Sequence, residues 1–298
     1  MVHISRGQAR ADVSMLTFRD PDSFVGGNLH NHFPAWEHIA TIAPFDLTSK
    51  ILLWIKNCVD VQDFFQPFKG QYRGENFYST LPPQRIFSNA PSCKPFAQFI
   101  SDTVIDRLRT GAISLWGRVG EVPPPHLVMP MTVELSKPCL CNDNRCLNLW
   151  IRDIPFQVDS LLGLPSSFQS VCDDNSGHDH VLLTPESHPY FGFQWGGWYL
   201  TSNTIHFGWK SSAYIYHSIG LLASHYFRSL LIPCSLYIDD RHTGEIQRCC
   251  FWKWLLINLF KEKMWLYRGL FMHWTWNLKQ SEGHYCPVRL KSNTHLLN

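Results

Sequence analysis

At 298 residues the chain can hold one large domain or two ordinary ones, and 45% hydrophobic content is enough for a real core. A net charge of +2, with only 17% charged residues against about 25% in typical domains, excludes a global basic field, so any nucleic-acid groove must be local. Met1-Val2-His3-Ile4-Ser5-Arg6 lacks the apolar core of a signal peptide, and no run approaches the ~18 apolar residues of a membrane span; ten cysteines without a secretory signal then point to reduced thiols in an intracellular chain, cytoplasmic or nuclear.

Along the chain, residues 1–25 are polar and irregular and read as a flexible segment. From Leu29 to Val59, Trp36, Ile39, Ile42, Leu52, Trp54 and Ile55 recur at helical spacing. Pro82-Pro83, Pro91 and Pro95 break the pattern into loops. A helix is expected over Phe96–Leu115, with Phe99, Ile100, Val104, Ile105 and Leu108 on one face and Gly111 as its stop. Residues 26–125 thus read as a helical region. Pro123-Pro124-Pro125 leads into an extended stretch, Leu127–Leu135. Gly192–Leu200 alternates like a strand, with glycines that permit close backbone approach. Ser211–Leu231 reads as a long helix with Ile215, Ile219, Leu222 and Phe227 on its apolar side.

The chemistry concentrates at Leu236-Tyr237-Ile238-Asp239-Asp240. An apolar, β-prone run ends in two adjacent carboxylates, followed by polar residues and Gly244, which is a strand entering a tight turn. Adjacent acids repel and are best tolerated where exposed or where they share a hard cation such as Mg²⁺. Taken alone, such a pair is usually a solvated turn. A second acidic cluster, Val171-Cys172-Asp173-Asp174-Asn175-Ser176-Gly177-His178-Asp179, lies upstream. Between them come Gly192-Phe193-Gln194-Trp195-Gly196-Gly197-Trp198 and Phe207-Gly208-Trp209-Lys210; ahead of all four comes Lys137-Pro138-Cys139-Leu140-Cys141-Asn142-Asp143-Asn144-Arg145-Cys146-Leu147-Asn148.

In this order, the segments resemble the reverse transcriptase domain of retroelements, nearest to the tyrosine-recombinase retrotransposons of the DIRS type, over roughly residues 95–247. The resemblance implies an α+β fold, the fingers and palm of a right-hand polymerase with an antiparallel palm sheet backed by helices. It places residues 26–125 as a region leading into the fingers and residues 126–247 as the fingers and palm core. Asp173, Asp239 and Asp240 are implied as the catalytic, metal-binding carboxylates for two Mg²⁺ ions, or Mn²⁺, with Asp174 able to exchange roles with Asp173. Nucleotide binding falls to Lys137, Asp143, Arg145, His178, Phe207, Gly208 and Lys210. The implied partners are an RNA or DNA template with its primer and deoxynucleoside triphosphates, with no membrane.

The sequence departs from the family pattern at three positions. Cys139 stands where relatives carry an arginine that grips the triphosphate, and a thiol offers neither charge nor fork. His178 replaces an aromatic that excludes the ribose 2′-hydroxyl, and His206 replaces a proline. Residues 248–298 carry Trp252, Trp254, Trp265, Trp274 and Trp276, which match no thumb; the segment reads as a Trp-rich helix or as translation in a shifted frame, with thumb, ribonuclease H and recombinase regions absent. The alternatives to a working polymerase are a catalytically dead remnant and a non-catalytic nucleic-acid-binding palm. Simpler patterns do not compete. Cys139, Cys141 and Cys146 lack a partner pair at zinc-finger spacing, His30-Asn31-His32 reads as a loop, and Gly117–Gly120 has no lysine for a phosphate loop.

Overall fold

A computed structural model describes residues 26–134, 139–159, 169–173, 176–229, 234–238 and 240–244, with backbone alone for 169–173 and 240–244. The expectations for residues 1–25 and 248–298, and for Lys137, Asp174 and Asp239, fall outside these residues. The chain is mixed α+β and divides into two units. None of the described helices is long and apolar enough to cross a membrane.

Helices α1 (Phe33–Ile42) and α2 (Thr48–Asn57) occupy the first apolar stretch. Pro34 sits in the first turn of α1, where its missing N–H costs nothing. The expectation of a helical region over 26–125 needs correction beyond this point. Strands β1 (Phe68–Tyr72) and β2 (Glu75–Ser79) form a hairpin, because Phe68, Gly70 and Tyr72 alternate with Lys69 and Gln71 at a period of two. Strand β3 (Arg85–Ile86) follows, and α3 runs only from Ala97 to Arg109. Gly111, at φ +74°, reverses the chain, and Ile113–Arg118 becomes β4 by pairing with a later strand rather than extending the helix to Leu115.

Leu127–Leu135 splits into β5 (Leu127–Met129) and β6 (Met131–Glu134) because Pro130 cannot donate to a ladder. Strand β7 (Cys139–Asn142) pairs with β6, and a single helical turn follows at Arg145–Asn148. After β8 (Gln169–Asp173), the expected strand at Gly192–Leu200 is a hairpin of β9 (Gly192–Trp195) and β10 (Trp198–Ser202). Gly196 and Gly197 both take positive φ, as a two-residue turn of this hand requires. Helix α4 spans Ser212–Ser229, close to expectation, and β11 (Cys234–Tyr237) and β12 (Asp240–Gly244) complete the described elements.

The first unit comprises residues 57–155 and 178–212 with the N-terminal segment to residue 30. Its five-stranded sheet has the order β3-β5-β9-β10-β4; the β3-β5 and β5-β9 joints are parallel and the others antiparallel. The core on this sheet includes Ile100 and Val104 of α3, Ile113, Met131, Val133, Phe193 and Leu200. The β1-β2 hairpin seats Phe68 and Phe77 edge-on against buried Trp150, whose Nε1 donates to the carbonyl of Ser79 at 3.2 Å.

The second unit holds residues 31–56, 156–177 and everything from Ala213 onward. Its antiparallel sheet has the order β11-β12-β8. Helix α4 lies against β11 where Gly220 meets Leu236; a Cβ on Gly220 would stand 2.5 Å from Leu236 Cδ2. Trp54 of α2 meets Tyr214 of α4 edge-on at 5.8 Å, and Phe45 stacks on His225 at 4.6 Å.

Candidate active site

Asp173 and Asp240 are carried by the second unit. In the β8-β12 ladder, Asp173 and Asp240 are direct partners, at the end of one strand and the start of the next. Tyr237 pairs with Asp240, which leaves Ile238 and Asp239 as the two residues between β11 and β12. Ile238 has φ +55°. A β-branched residue in the left-handed region is a strained outlier, costing of order 1–3 kcal/mol, and such strain persists only where its surroundings enforce it.

Two devices do so. The Ile238 N–H donates to His217 Nδ1 at 3.3 Å, and His217 Nε2 lies 3.2 Å from the Gln157 carbonyl. A carbonyl accepts only, so the proton sits on Nε2 and the ring is neutral. Burial pushes the His217 pKa below the usual range, while the Gln157 carbonyl and the Asp159 carboxylate pull the other way. Along the outer edge of β11, Asp159 pairs with Leu236 in both directions: its N–H donates to the Leu236 carbonyl at 3.2 Å, and its Oδ2 accepts the Leu236 N–H at 3.1 Å. Arg228, in the last turn of α4, pairs with Asp159 and donates from Nε to the Cys234 carbonyl at 3.1 Å. The sequence reading missed His217, Asp159 and Arg228. Only their neighbours in space mark them.

The remaining described site residues lie in the first unit. Gly208 has φ +95°, and a Cβ there would come 2.8 Å from the Asn142 carbonyl. The turn is clamped by Asn148, whose Nδ2 donates to the Gly208 carbonyl at 2.8 Å while its Oδ1 accepts the Lys210 N–H at 2.9 Å. Trp209 is buried edge-on against Phe64 and Phe191, each at 5.3 Å, whereas Phe207 projects with 71% of its surface exposed. His178 approaches Phe207 edge-on at 6.1 Å.

The cations here already have partners. Arg145 holds Asp143 through Nε at 2.8 Å and Nη2 at 2.6 Å, and this grip keeps the Asp143 carboxyl below its ordinary range against the opposing effect of burial. Lys210 pairs with Asp153 at 2.5 Å and donates to the Ile151 carbonyl at 3.2 Å. His206 is fully buried, its Nδ1 3.2 Å from Asn144 Nδ2 and 3.0 Å from the Phe207 carbonyl; burial lowers its pKa to about 4. Asp179, beside His178 in the acidic cluster, is taken up by Arg107 at 2.5 Å and by Thr204 Oγ1 at 3.0 Å. Cys139 is exposed and stands opposite Glu134 in the β6-β7 register. Burial, then the Cys139 thiol and Glu134, raise the Cys141 pKa.

Among the described residues no three His, Cys, Asp or Glu side chains cluster as metal ligands, and the side chains of Asp173, Asp239 and Asp240 are not among those residues. Hard oxygen donors on facing strand ends are the donor set that Mg²⁺ takes.

No family model matches the sequence, and no curated protein does. Among solved structures, the chain is similar to the foamy viral protease-reverse transcriptase in complex with double-stranded DNA, at 18% identity and a TM-score of 0.46, over 76% of this chain and 48% of that one. It is also similar to the dRH form of that protein with double-stranded DNA, at 16% identity and a TM-score of 0.43, over 76% of this chain and 41% of that one. The chain spans less than half the length of either.

Proposed function

We propose that this chain carries the fingers and palm of an RNA-directed DNA polymerase of retroelement origin, transferring nucleotides to a primer 3′-hydroxyl. The observation that supports this reading best is the pairing of Asp173 with Asp240 across β8 and β12, with Ile238-Asp239 as the intervening turn. Like charges directly opposite destabilise a sheet unless a cation is shared between them. Asp173 and Asp239 would hold most of the metal charge, with Asp240 third. Bound there, Mg²⁺ would neutralise the triphosphate and make the primer hydroxyl a better nucleophile.

The chain's own residues would bind and orient. Gly208, lacking a side chain, would let the backbone approach a base pair, with Phe207 beside it. Arg145 and Lys210 would meet phosphate oxygens once released from Asp143 and Asp153. The Lys210–Asp153 pair is a weak competitor, since Asp153 is 85% exposed and such surface pairs give about 0–1 kcal/mol.

A second reading, a nucleic-acid-binding palm without catalysis, is favoured by Cys139. An exposed thiol opposite Glu134 replaces a cation that would clamp the triphosphate. Loss of such a clamp costs roughly 10²-fold or more in rate. Primer extension on an RNA template with Mg²⁺ separates the readings, using the parent, Cys139→Arg and Asp239→Ala. Extension by the parent that vanishes in Asp239→Ala is expected for a polymerase. Activity only in Cys139→Arg would locate the lesion at the clamp, and silence from all three would leave the binding reading alone.

A further inference from the structure

The β1-β2 hairpin carries a feature that neither its fold nor the nucleotidyl-transfer reading requires. Its two-residue turn is Arg73-Gly74, with Tyr72 paired to Glu75 on either side. Both turn residues have positive φ, +49° for Arg73 and +85° for Gly74. That turn strongly prefers Asn-Gly or Asp-Gly, and a long side chain in the left-handed region is disfavoured. Arginine here works against the local backbone. Observed strain of this kind is a reason to look for function at the residue.

The Arg73 guanidinium is exposed and lies over two rings, 5.4 Å from the Tyr72 centroid and 5.0 Å from that of Phe87. It enters none of the ion pairs among the described residues. A groove opens on each side of it. One, of about 360 Å³, is lined by Arg73, Arg85, Phe77 and Phe87; Arg85 lies over the Phe77 ring at 5.5 Å and pairs with Glu75. The other, of about 520 Å³, is lined by Arg73, Asn89, Pro130, Asp143 and Arg145. Both fall in the size range of ligand sites, and both are open rather than enclosed. The two carboxylates at their walls, Glu75 and Asp143, are each already held by an arginine.

We infer that the hairpin is a platform for single-stranded nucleic acid, with Arg73 on the ridge between successive nucleotides. A strand fits better than a lone nucleotide because two adjoining grooves share Arg73, which acts on Asp143 only at a distance and closes no ion pair among the described residues. Arginines interleaved with aromatic rings are the means by which proteins hold single strands without reading sequence: backbone charge meets guanidinium, and bases find planar groups. The choice of a nucleic acid rests on the polymerase reading; the location rests on the hairpin.

The test uses the full chain, fluorescein-labelled dT20 and U20, and anisotropy titrations from about 50 to 200 mM salt without Mg²⁺ or nucleotide. Arg73→Asn is the informative variant, because asparagine suits the turn and the hairpin should fold at least as well. Affinity is expected to fall roughly five-fold or more, and the slope of log K against log salt to lose about 0.7, the share of one single-strand phosphate. Arg73→Lys should restore the slope. Unchanged affinity and slope in Arg73→Asn, no binding by the parent, or equal displacement of the strand by polyglutamate would each overturn the platform, the last by making the site one for acidic polymers in general. A chain that binds through Arg73 yet extends no primer loses only the polymerase reading. A chain that extends primers while Arg73→Asn binds unchanged loses only the platform.

Discussion

His217 takes the backbone N–H of Ile238 on Nδ1 at 3.3 Å, one residue before Asp239. The strained turn is therefore held by a neutral imidazole. Protonation would convert the acceptor into a donor facing a donor. The pKa of His217 is lowered on folding, as are those of His225 and, to about 4, His206. The unfolded chain therefore binds more protons below the ordinary value of about 6.5, and stability falls with pH until the folded values are passed. For His206 that window runs from about 6.5 to about 4 and corresponds to about 3 kcal/mol. The parent should lose melting temperature steadily between pH 7 and 4. His217→Phe should cost about 1–2 kcal/mol at pH 8 through the orphaned amide and make the pH slope shallower. An unaltered slope in that variant would remove His217 from the account.

Asp173 and Asp240 are direct partners in the backbone register of β8 and β12. Asp173→Asn and Asp240→Asn should each raise the melting temperature in EDTA by relieving like charge. Each should also diminish the rise that Mg²⁺ gives the parent, about 1.4 kcal/mol at ten times its dissociation constant. Differential scanning fluorimetry with and without Mg²⁺ reads both effects. Stabilisation by Mg²⁺ equal in parent and variants would place the ion elsewhere.

At the Phe207–Lys210 turn, Gly208→Ala combines positive φ with a Cβ 2.8 Å from the Asn142 carbonyl, and backbone cannot give way as a side chain can. A cost of about 1–3 kcal/mol is expected in urea unfolding. Asn148→Ala, which frees both the Gly208 carbonyl and the Lys210 amide, should cost about 1–2 kcal/mol. A Gly208→Ala variant as stable as the parent would show that the turn is free to open.

Where the sequence carried periodicity, it was readable. Ile215, Ile219 and Leu222 announced α4, which runs over Ser212–Ser229. Tyr237 and its neighbours announced the strand before the acidic pair, but Asp240–Gly244, which read as part of the turn, is β12. Hairpins were harder. Arg73-Gly74 does not look like a turn of this hand, and Gly196-Gly197 sat inside an apolar run that read as one strand. The helix carried to Leu115 failed because β4 is decided by its partner β10, which lies about eighty residues away in sequence. The supports of the site were invisible for the same reason. Nothing adjacent to His217 in sequence mentions Ile238, nor anything near Asp159 mentions Arg228.

The approach of α4 to β11 offers a control on packing alone. Gly220→Ala should cost about 1–3 kcal/mol, since Leu236 is fully buried and has little room to turn. Leu236→Ala should cost about 2–5 kcal/mol. Combined, the two should cost less than their sum, because the smaller residue admits the new methyl. Strict additivity in chemical denaturation would mean the two residues do not touch.

The first unit's sheet interleaves strands from three distant stretches of chain, with β9 seated between β5 and β10. Residues 85–129 therefore supply β3, β4 and β5 long before the strands that join them exist. During synthesis, β4 and β5 wait with bare edges until residues 192–202 emerge from the ribosome. Such edges pair readily with other chains, and non-local pairings form slowly. A ribosome stalled before residue 192 would hold a half-made sheet, with β4 and the free side of β5 open to pairing with other chains.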